Sequence, residues 1–326
     1  MATDLQIFKH LFLNLWLKMK LSIKKLNGNK LNKNLKTAAL FLSSATLLTC
    51  ILIACSNNKT KENAAQNTTI LTDEKTDTAN LKPADAKTIL ARKEVPVLCY
   101  HQIRNNIASD SKRAHDDIIA PDKFREHIKM LADSGYHSIL PNQLYDYLVY
   151  GNKLPEKPIM ITFDDTDEDQ FTVGNATLKK YGFKGVYFIM TVSIGRKGRI
   201  NYMTKEQIKQ LANEGNTVAS HTYDHKNFAQ FTNEDWKTQI DEPTKKLEQI
   251  TGKKVEYFAY PYGVYKAANL PKLKEHGFKA AFILSTARDE NYPLYTIRRI
   301  IDPGRYTAKN LYYSINKSFN KTKAKS

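Results

Sequence analysis

Residues 157–190 read KPIMITFDDTDEDQFTVGNATLKKYGFKGVYFIM. An apolar run to Phe163 stops in five carboxylates within six positions; a stretch of helical spacing then ends at Gly182, and a second apolar run starts at Gly185. Strand, helix and strand in that order is the unit of a parallel sheet, because parallel neighbours need a crossover between them. Two questions follow: whether the unit repeats, and what the carboxylates do at the end of its first strand.

The unit does repeat. VPVLCYH (95–101) precedes PDKFREHIKMLADSG (121–135), and HSIL (137–140) precedes PNQLYDYLVYG (141–151). Beyond the quoted unit come TKEQIKQLANEG (204–215) and NTVASH (216–221), then the segment 233–252, EYFAYPYG (256–263), KAANLPKLKEHG (266–277) and KAAFILS (279–285). Gly135, Gly182, Gly215, Gly252 and Gly277 end helical stretches, as left-handed caps favour. About seven strands alternating with helices predict an α/β fold: a distorted (β/α)7-like barrel of parallel strands with helices outside.

The ends of the chain lie outside this pattern. Lysines are scattered through residues 18–36, and TAALFLSSATLLTCILIAC (37–55) is free of charge. A basic region followed by an apolar one has the order of an export signal. Its last residues, Leu52, Ile53, Ala54 and Cys55, resemble the lipobox of bacterial lipoproteins, which implies acylation at Cys55, export and a lipid anchor on the cell envelope, facing the periplasm or the cell surface. An uncleaved anchor is the alternative, since nineteen residues just span a bilayer. Met19, followed by Lys20, is an alternative start. Residues 56–93, rich in Asn, Thr, Lys and Asp, carry too little apolar surface to offset ordering and are expected to be a disordered tether. The expected domain then runs from 94 to 308, with a basic tail at 309–326.

The formal net charge is +17; residues 1–55 hold eight Lys and one Asp, and without them it is +10. Five more positive charges sit between Lys309 and Lys325. A solvated surface accounts for this excess, so no nucleic-acid partner is expected, and the protein is expected to be a monomer. Of three cysteines, Cys50 and Cys55 lie in the signal, which leaves Cys99 with no partner for an internal disulfide.

In parallel α/β folds chemistry collects at the carboxyl ends of strands. Four strand candidates end in metal-ligand or turn-forming groups: His101; Asp164 and Asp165; His221 with His225; and Tyr260-Pro261-Tyr262-Gly263. A divalent metal with an open position needs about three protein ligands, commonly imidazole and carboxylate, and it lowers the pKa of bound water. In SHTYDH (220–225), two histidines four apart can reach one ion. An isolated pair of that spacing is more often two unrelated surface histidines, so the context decides. Other chemistries fit less well. Asp165, Asp167 and Asp169 imitate the start of a calcium loop, but Gln170 stands where its Gly is needed and Ala176 where its Glu is. An aspartyl-phosphate nucleophile would want Thr where Asp169 stands, and it leaves the histidines unexplained.

TFDD, SHTYDH and YPYG in this order on successive strands resemble the polysaccharide deacetylases of carbohydrate esterase family 4, the NodB homology domain. LCYH (98–101) suggests the poly-N-acetylglucosamine deacetylase branch. The resemblance covers roughly residues 95–302 and implies a hydrolase that N-deacetylates an extracellular or cell-envelope polysaccharide: poly-N-acetylglucosamine, peptidoglycan or a chitin-like polymer. It implies Asp165, His221 and His225 as ligands of one divalent metal, zinc or else Co, Ni, Mn or Fe. Asp164 would be the general base, Tyr262 would hold the oxyanion through its backbone N–H within Tyr260-Pro261-Tyr262, and His101 would be the acid that protonates the leaving amine. A non-catalytic glycan-binding relative and an O-acetyl esterase are the competing functions.

Two departures from the family pattern stand out. Thr166 replaces the Gly that usually follows the paired aspartates; since a β-branched residue at positive φ is strained, the local backbone is expected to differ. The arginine that orients the base is absent from KVEYFAYPYG, and Arg298 or Arg299 of TIRRI is its candidate replacement. Asp167, Glu168 and Asp169 are expected to be solvated first-turn carboxylates of the next helix. Trp236 is expected to pack a helix, and His276 to be a charge at a helix C-terminus.

Overall fold

The computed structural model describes residues 82–284 and 286–319. The expected export segment, Cys55 anchor and tether as far as residue 81 lie outside the described residues. No helix among the described residues is long and apolar enough to cross a membrane.

All seven predicted strand runs form strands: β1 (Val97–Tyr100), β2 (His137–Ser138), β3 (Pro158–Phe163), β4 (Val186–Ile189), β5 (Thr217–Ser220), β6 (Tyr257–Ala259) and β7 (Ala280–Ile283). Ahead of them lies α1 (Ala86–Ala91), and between them run α2 (Pro121–Asp133), α3 (Pro141–Tyr150), α4 (Ala176–Lys180), α5 (Lys205–Asn213), α6 (Glu242–Thr251) and α7 (Leu270–Glu275). The five predicted capping glycines all take φ between 69° and 87°. Thr204 and Gln207 close the start of α5 with a capping box, which satisfies backbone N–H groups the first turn would leave bare.

Two further short strands, β8 (Ile297–Arg298) and β9 (Ile300–Ile301), complete a parallel sheet in the order β8-β7-β6-β5-β4-β3-β1-β9. Because β8 pairs with β7 and β9 with β1, the segment 297–301 closes the ring, changing partner at Arg299. The result is a parallel sheet nearly closed into a barrel with helices around it. One stave differs from the expected set: β2 has only two residues and flanks the first half of β3, outside the main path, so the closing segment takes its place in the ring.

Alternation along the strands splits the core in two. Val97, Met160, Val186, Phe188, Ala259 and Phe282 fill the barrel. Leu98, Ile161, Phe163, Tyr187, Phe258 and Ile283 lie under the helices with Phe124, Leu211, Leu247 and Leu273.

Both expected domain limits move outward. Residues 82–93 are part of the folded unit: Asp85 caps α1, Ile89 is buried, and the Ala84 N–H donates to the Val149 carbonyl. At the other end, the supposed basic tail forms α8 (Ala308–Phe319), which packs against α2. Leu311, Ile315 and Phe319 recur every four residues and are buried, each contributing about 1.5–3 kcal/mol. Lysine count concealed an amphipathic helix.

Candidate active site

Asp164 and Asp165 follow β3 directly, and their surroundings differ. Asp164 is buried, and Arg299 grips both of its oxygens, Nη1 to Oδ1 at 2.7 Å and Nη2 to Oδ2 at 2.8 Å. Arg299 is itself buried, donates to Thr162 Oγ1 (3.1 Å) and the Ile283 carbonyl (3.3 Å), and lies over the Phe188 ring. The guanidinium therefore sits inside the barrel where the closing segment changes partner. Of the two arginines in TIRRI, Arg298 turns away to Glu94 and the Ser318 carbonyl. Burial pushes the Asp164 pKa upward, but Arg299, His221 and His101 outweigh it and hold the carboxyl well below the usual carboxylate range. The Cys99 thiol, also inside the barrel, donates to Asp164 Oδ2 at 3.6 Å.

Asp165 Oδ1 is buried and has no hydrogen-bond partner, and the Nε2 atoms of His221 and His225 each lie 3.4 Å from it. Two bonds of about 2.0–2.1 Å meeting at a tetrahedral ion place their donor atoms about 3.4 Å apart. The three donors therefore suit one divalent cation. His221 supports this through its other nitrogen, since Nδ1 lies 2.7 Å from the Ala259 carbonyl, which fixes the tautomer and leaves Nε2 free to ligate. Burial again opposes ionisation of Asp165, and the neighbouring His221, His101 and His225 bring its pKa down to about 2. For His221 the burial penalty is outweighed by Asp164 and Asp165, so its pKa is raised; burial and the adjacent His221 lower that of His225.

The turns carrying these residues are strained. Asp165 and Thr166 both take φ 76°, and Thr222 and His225 both take φ 68°. The backbone at Thr166 thus keeps the positive φ that a glycine would occupy, contrary to expectation. Its Oγ1 compensates by accepting from the Met190 N–H (2.8 Å) and donating to the Met190 carbonyl (3.3 Å), while the Met203 N–H donates to the Thr166 carbonyl (2.9 Å). Thr222 Oγ1 likewise accepts from the His225 N–H at 2.9 Å.

Of the three following carboxylates, Glu168 behaves as expected, pairing with Lys197 at 2.9 Å near the start of the helix. Asp167 does not. It is buried, bridges to Tyr202 through the backbone and leaves Oδ2 without a partner; burial, followed by Asp165 and Asp169, pushes its pKa well above the usual range. The strand-like contact with Tyr202 draws its side chain inward, which helix logic could not foresee.

His101 belongs to a second group around Asp164: one of its ring nitrogens, an Asp164 oxygen and the Cys99 sulfur lie within 4.8 Å of one another. Its Nδ1 is buried without a hydrogen-bond partner. Tyr262 (φ 61°) is half exposed, and its ring meets His225 edge-on with centroids 4.5 Å apart. Tyr260 and Pro261 are buried, and the Tyr260 hydroxyl donates to the Tyr295 carbonyl, so the Tyr260 side chain is turned into the core. Among the other aromatics near the cleft, Tyr100 is also core, whereas Tyr223 is exposed. Trp236 packs among Phe228, Phe231 and His276, whose Nδ1 lies 2.6 Å from Asp241.

Fold and site together define a parallel α/β barrel whose centre sets an Asp-His-His cluster beside a second, arginine-held carboxylate. Residues 151–281 match the polysaccharide deacetylase family model. The match contains Asp164, Asp165, His221, His225 and Tyr262, and leaves out His101 and Arg299. A Bacillus subtilis protein, YxkH, named as a polysaccharide deacetylase, is 29% identical over 216 residues, which are 65% of this chain and 72% of that one. The poly-beta-1,6-N-acetyl-D-glucosamine N-deacetylase of Staphylococcus aureus is 28% identical over 227 residues, 63% of this chain and 77% of that one. Among solved structures, IcaB from Ammonifex degensii superposes with a TM-score of 0.54 at 26% identity, covering 65% of this chain and 92% of that one. The Streptococcus pyogenes deacetylase PplD shares the fold, with a TM-score of 0.59 at 23% identity over 68% of this chain and 98% of that one. Residues 151–281 thus carry a polysaccharide deacetylase domain, and over about two thirds of its length the chain is similar to deacetylases, enzymes that hydrolyse amide carbon–nitrogen bonds.

Proposed function

We propose that this protein removes N-acetyl groups from an extracellular or cell-envelope polysaccharide of the poly-N-acetylglucosamine, peptidoglycan or chitin-like kind. The observation that carries this reading is the adjacency of two differently held carboxylates: Asp165 shares one oxygen with His221 and His225 at 3.4 Å, and Asp164 is locked and ionised by Arg299. The relative named as a poly-beta-1,6-N-acetyl-D-glucosamine N-deacetylase supports the choice of glycan.

Asp165, His221 and His225 would hold zinc, or cobalt, nickel, manganese or iron, which when bound supplies Lewis acidity at the acetyl carbonyl and lowers the pKa of water. Asp164 acts as general base. Its ionised state and its two-point grip by Arg299 keep one geometry for accepting a proton beside the cation site. His101 protonates the leaving amine nitrogen, which an amide needs far more than an ester does. The Tyr262 backbone N–H, in a left-handed turn next to His225, stabilises the developing oxyanion. Tyr262 and Tyr223 offer exposed faces to sugar rings. The lipobox-like residues 52–55 support an exported protein anchored through Cys55, so Cys55→Ser should move it from the membrane fraction to the soluble one.

Comparing an N-acetyl amide with an O-acetyl ester tests the assignment. His101→Ala should abolish amide turnover and spare most ester turnover. Equal losses on both would remove the acid role; turnover of esters alone by the unaltered protein would make it an O-acetyl esterase, and glycan binding without turnover would make it a binding protein.

A further inference from the structure

Two π-helical turns flank the site, Gln170–Asn175 ahead of α4 and Trp236–Asp241 ahead of α6. Such turns are rare and concentrate at functional sites. Each contains a buried glutamine that bonds to the backbone of the site. Gln170 Nε2 donates to the His101 carbonyl at 2.9 Å and to the Asp164 carbonyl. One carboxamide thereby ties the residue after β1 to the residue after β3. Gln239 works with the opposite polarity: its Oε1 accepts from the Tyr223 N–H at 3.2 Å and the Asp224 N–H at 3.4 Å, both inside the turn that separates His221 from His225. The second π turn has a cause in the sequence. Pro243 lies four residues after Gln239, lacks the N–H that would bond the Gln239 carbonyl in an α-helix, and would clash with it.

We propose that Gln170 and Gln239 are positioning residues with separate tasks. Gln170 sets His101 relative to Asp164, the acid relative to the base; Gln239 sets the strained His225 turn relative to Asp165. The inference rests on the roles proposed above for His101 and for the Asp-His-His cluster. It goes beyond satisfying buried polar groups, because the contacts of each glutamine serve a different function and use a different end of the carboxamide.

Four variants of the purified protein test it: Gln170→Leu, Gln170→Glu, Gln239→Leu and Gln239→Glu. Each is measured for zinc affinity by chelator competition without substrate, and for kcat on matched amide and ester substrates. Gln170→Leu should lower amide turnover about 10-fold or more, lower ester turnover much less and leave the zinc Kd within about twofold. Gln170→Glu should be no better, since a carboxylate would face two carbonyl oxygens. Gln239→Leu should weaken zinc binding about 10–100-fold, the range for groups that orient metal ligands. Gln239→Glu should restore it, since a carboxylate oxygen still accepts both N–H groups. Glutamate variants that behave alike at the two positions, or leucine variants that shift zinc affinity and the amide-to-ester ratio together, would overturn the proposal. Should a leucine variant fail to fold, the near-isosteric glutamate variant still decides its half. A His101→Ala control that lowers amide and ester turnover equally overturns the acid role and with it the Gln170 half. If that control separates the two substrates and Gln170→Leu does not, only the positioning role falls.

Discussion

Asp164 and Asp165 are neighbours in sequence, yet one is part of the barrel's framework and the other is not. Asp164 is locked by Arg299 beside Thr162 and Cys99, in the same interior as Phe188 and Met160. Asp165 sits on a left-handed turn, with one buried oxygen that answers only to two histidine nitrogens at 3.4 Å. The contrast shows how adjacent carboxylates acquire different chemistry. The first is ionised and immobile because a fixed cation, Arg299, neutralises it, and the second is ionised beside two histidines and stays available for the proposed exchangeable cation.

The largest effect should come from breaking the locked side. Arg299→Met leaves a buried carboxylate unpaired, at a cost of about 3–5 kcal/mol. The sign of the pH effect follows from the causes of the shift. With Arg299 present Asp164 stays ionised below the usual carboxylate range, so its stabilisation is present above the unfolded value of about 3.9 and lost as pH falls through the lower folded value. Without Arg299 burial dominates, and the acid limb of the kcat/KM profile should move to higher pH. Arg299→Lys should not restore the profile, because lysine cannot grip two oxygens at once. A profile unchanged by Arg299→Met would erase the distinction between the two carboxylates.

Breaking the available side should spare the fold. Asp165→Asn removes a partly buried charge at a φ that asparagine tolerates. The metal-free melting temperature should therefore stay level or rise, while zinc affinity is lost; a large fall in melting temperature would make Asp165 a structural partner instead. In the unaltered protein, zinc affinity should weaken as pH falls through the raised pKa of His221, since the proton and the cation compete for Nε2. Affinity flat down to pH 5 would contradict that.

Away from the site, Leu311→Ala should cost about 2–5 kcal/mol in a denaturant melt if α8 belongs to the folded unit. A basic tail would register nothing. The smallest contrast lies at Thr166. Thr166→Gly relieves the positive φ and loses the Oγ1 bonds to Met190, so the two terms should nearly cancel. Thr166→Val keeps the strain and loses the bonds, and should cost about 1–3 kcal/mol; glycine melting no higher than valine would mean the turn is not strained.

The strands were readable because each is an apolar run in a regular series with helices, and the gathering of Asp165, His221 and His225 because they sit at the ends of those runs. The closing segment was not, since Ile297–Ile301 holds two arginines and reads as polar, although Arg299 is fully buried. That same residue holds Asp164, so the missed strand and the open question of Asp164's partner had one answer. The depth of Asp167 was invisible because it depends on a contact with Tyr202, thirty-five positions away in sequence. The four-residue spacing of Leu311, Ile315 and Phe319 was a usable signal that the lysines masked, and Pro243 was a usable signal for the π turn that carries Gln239.

The most direct measurement is acetate release from a poly-N-acetylglucosamine or chitin oligosaccharide by the purified protein, before chelation, after chelation, and after return of zinc or cobalt. Release that disappears on chelation, returns with the metal, and is absent from Asp165→Ala and Asp164→Ala alike is the predicted result. Release by Asp165→Ala at the unaltered rate, or release indifferent to chelation, would contradict the division of labour between the two neighbouring carboxylates.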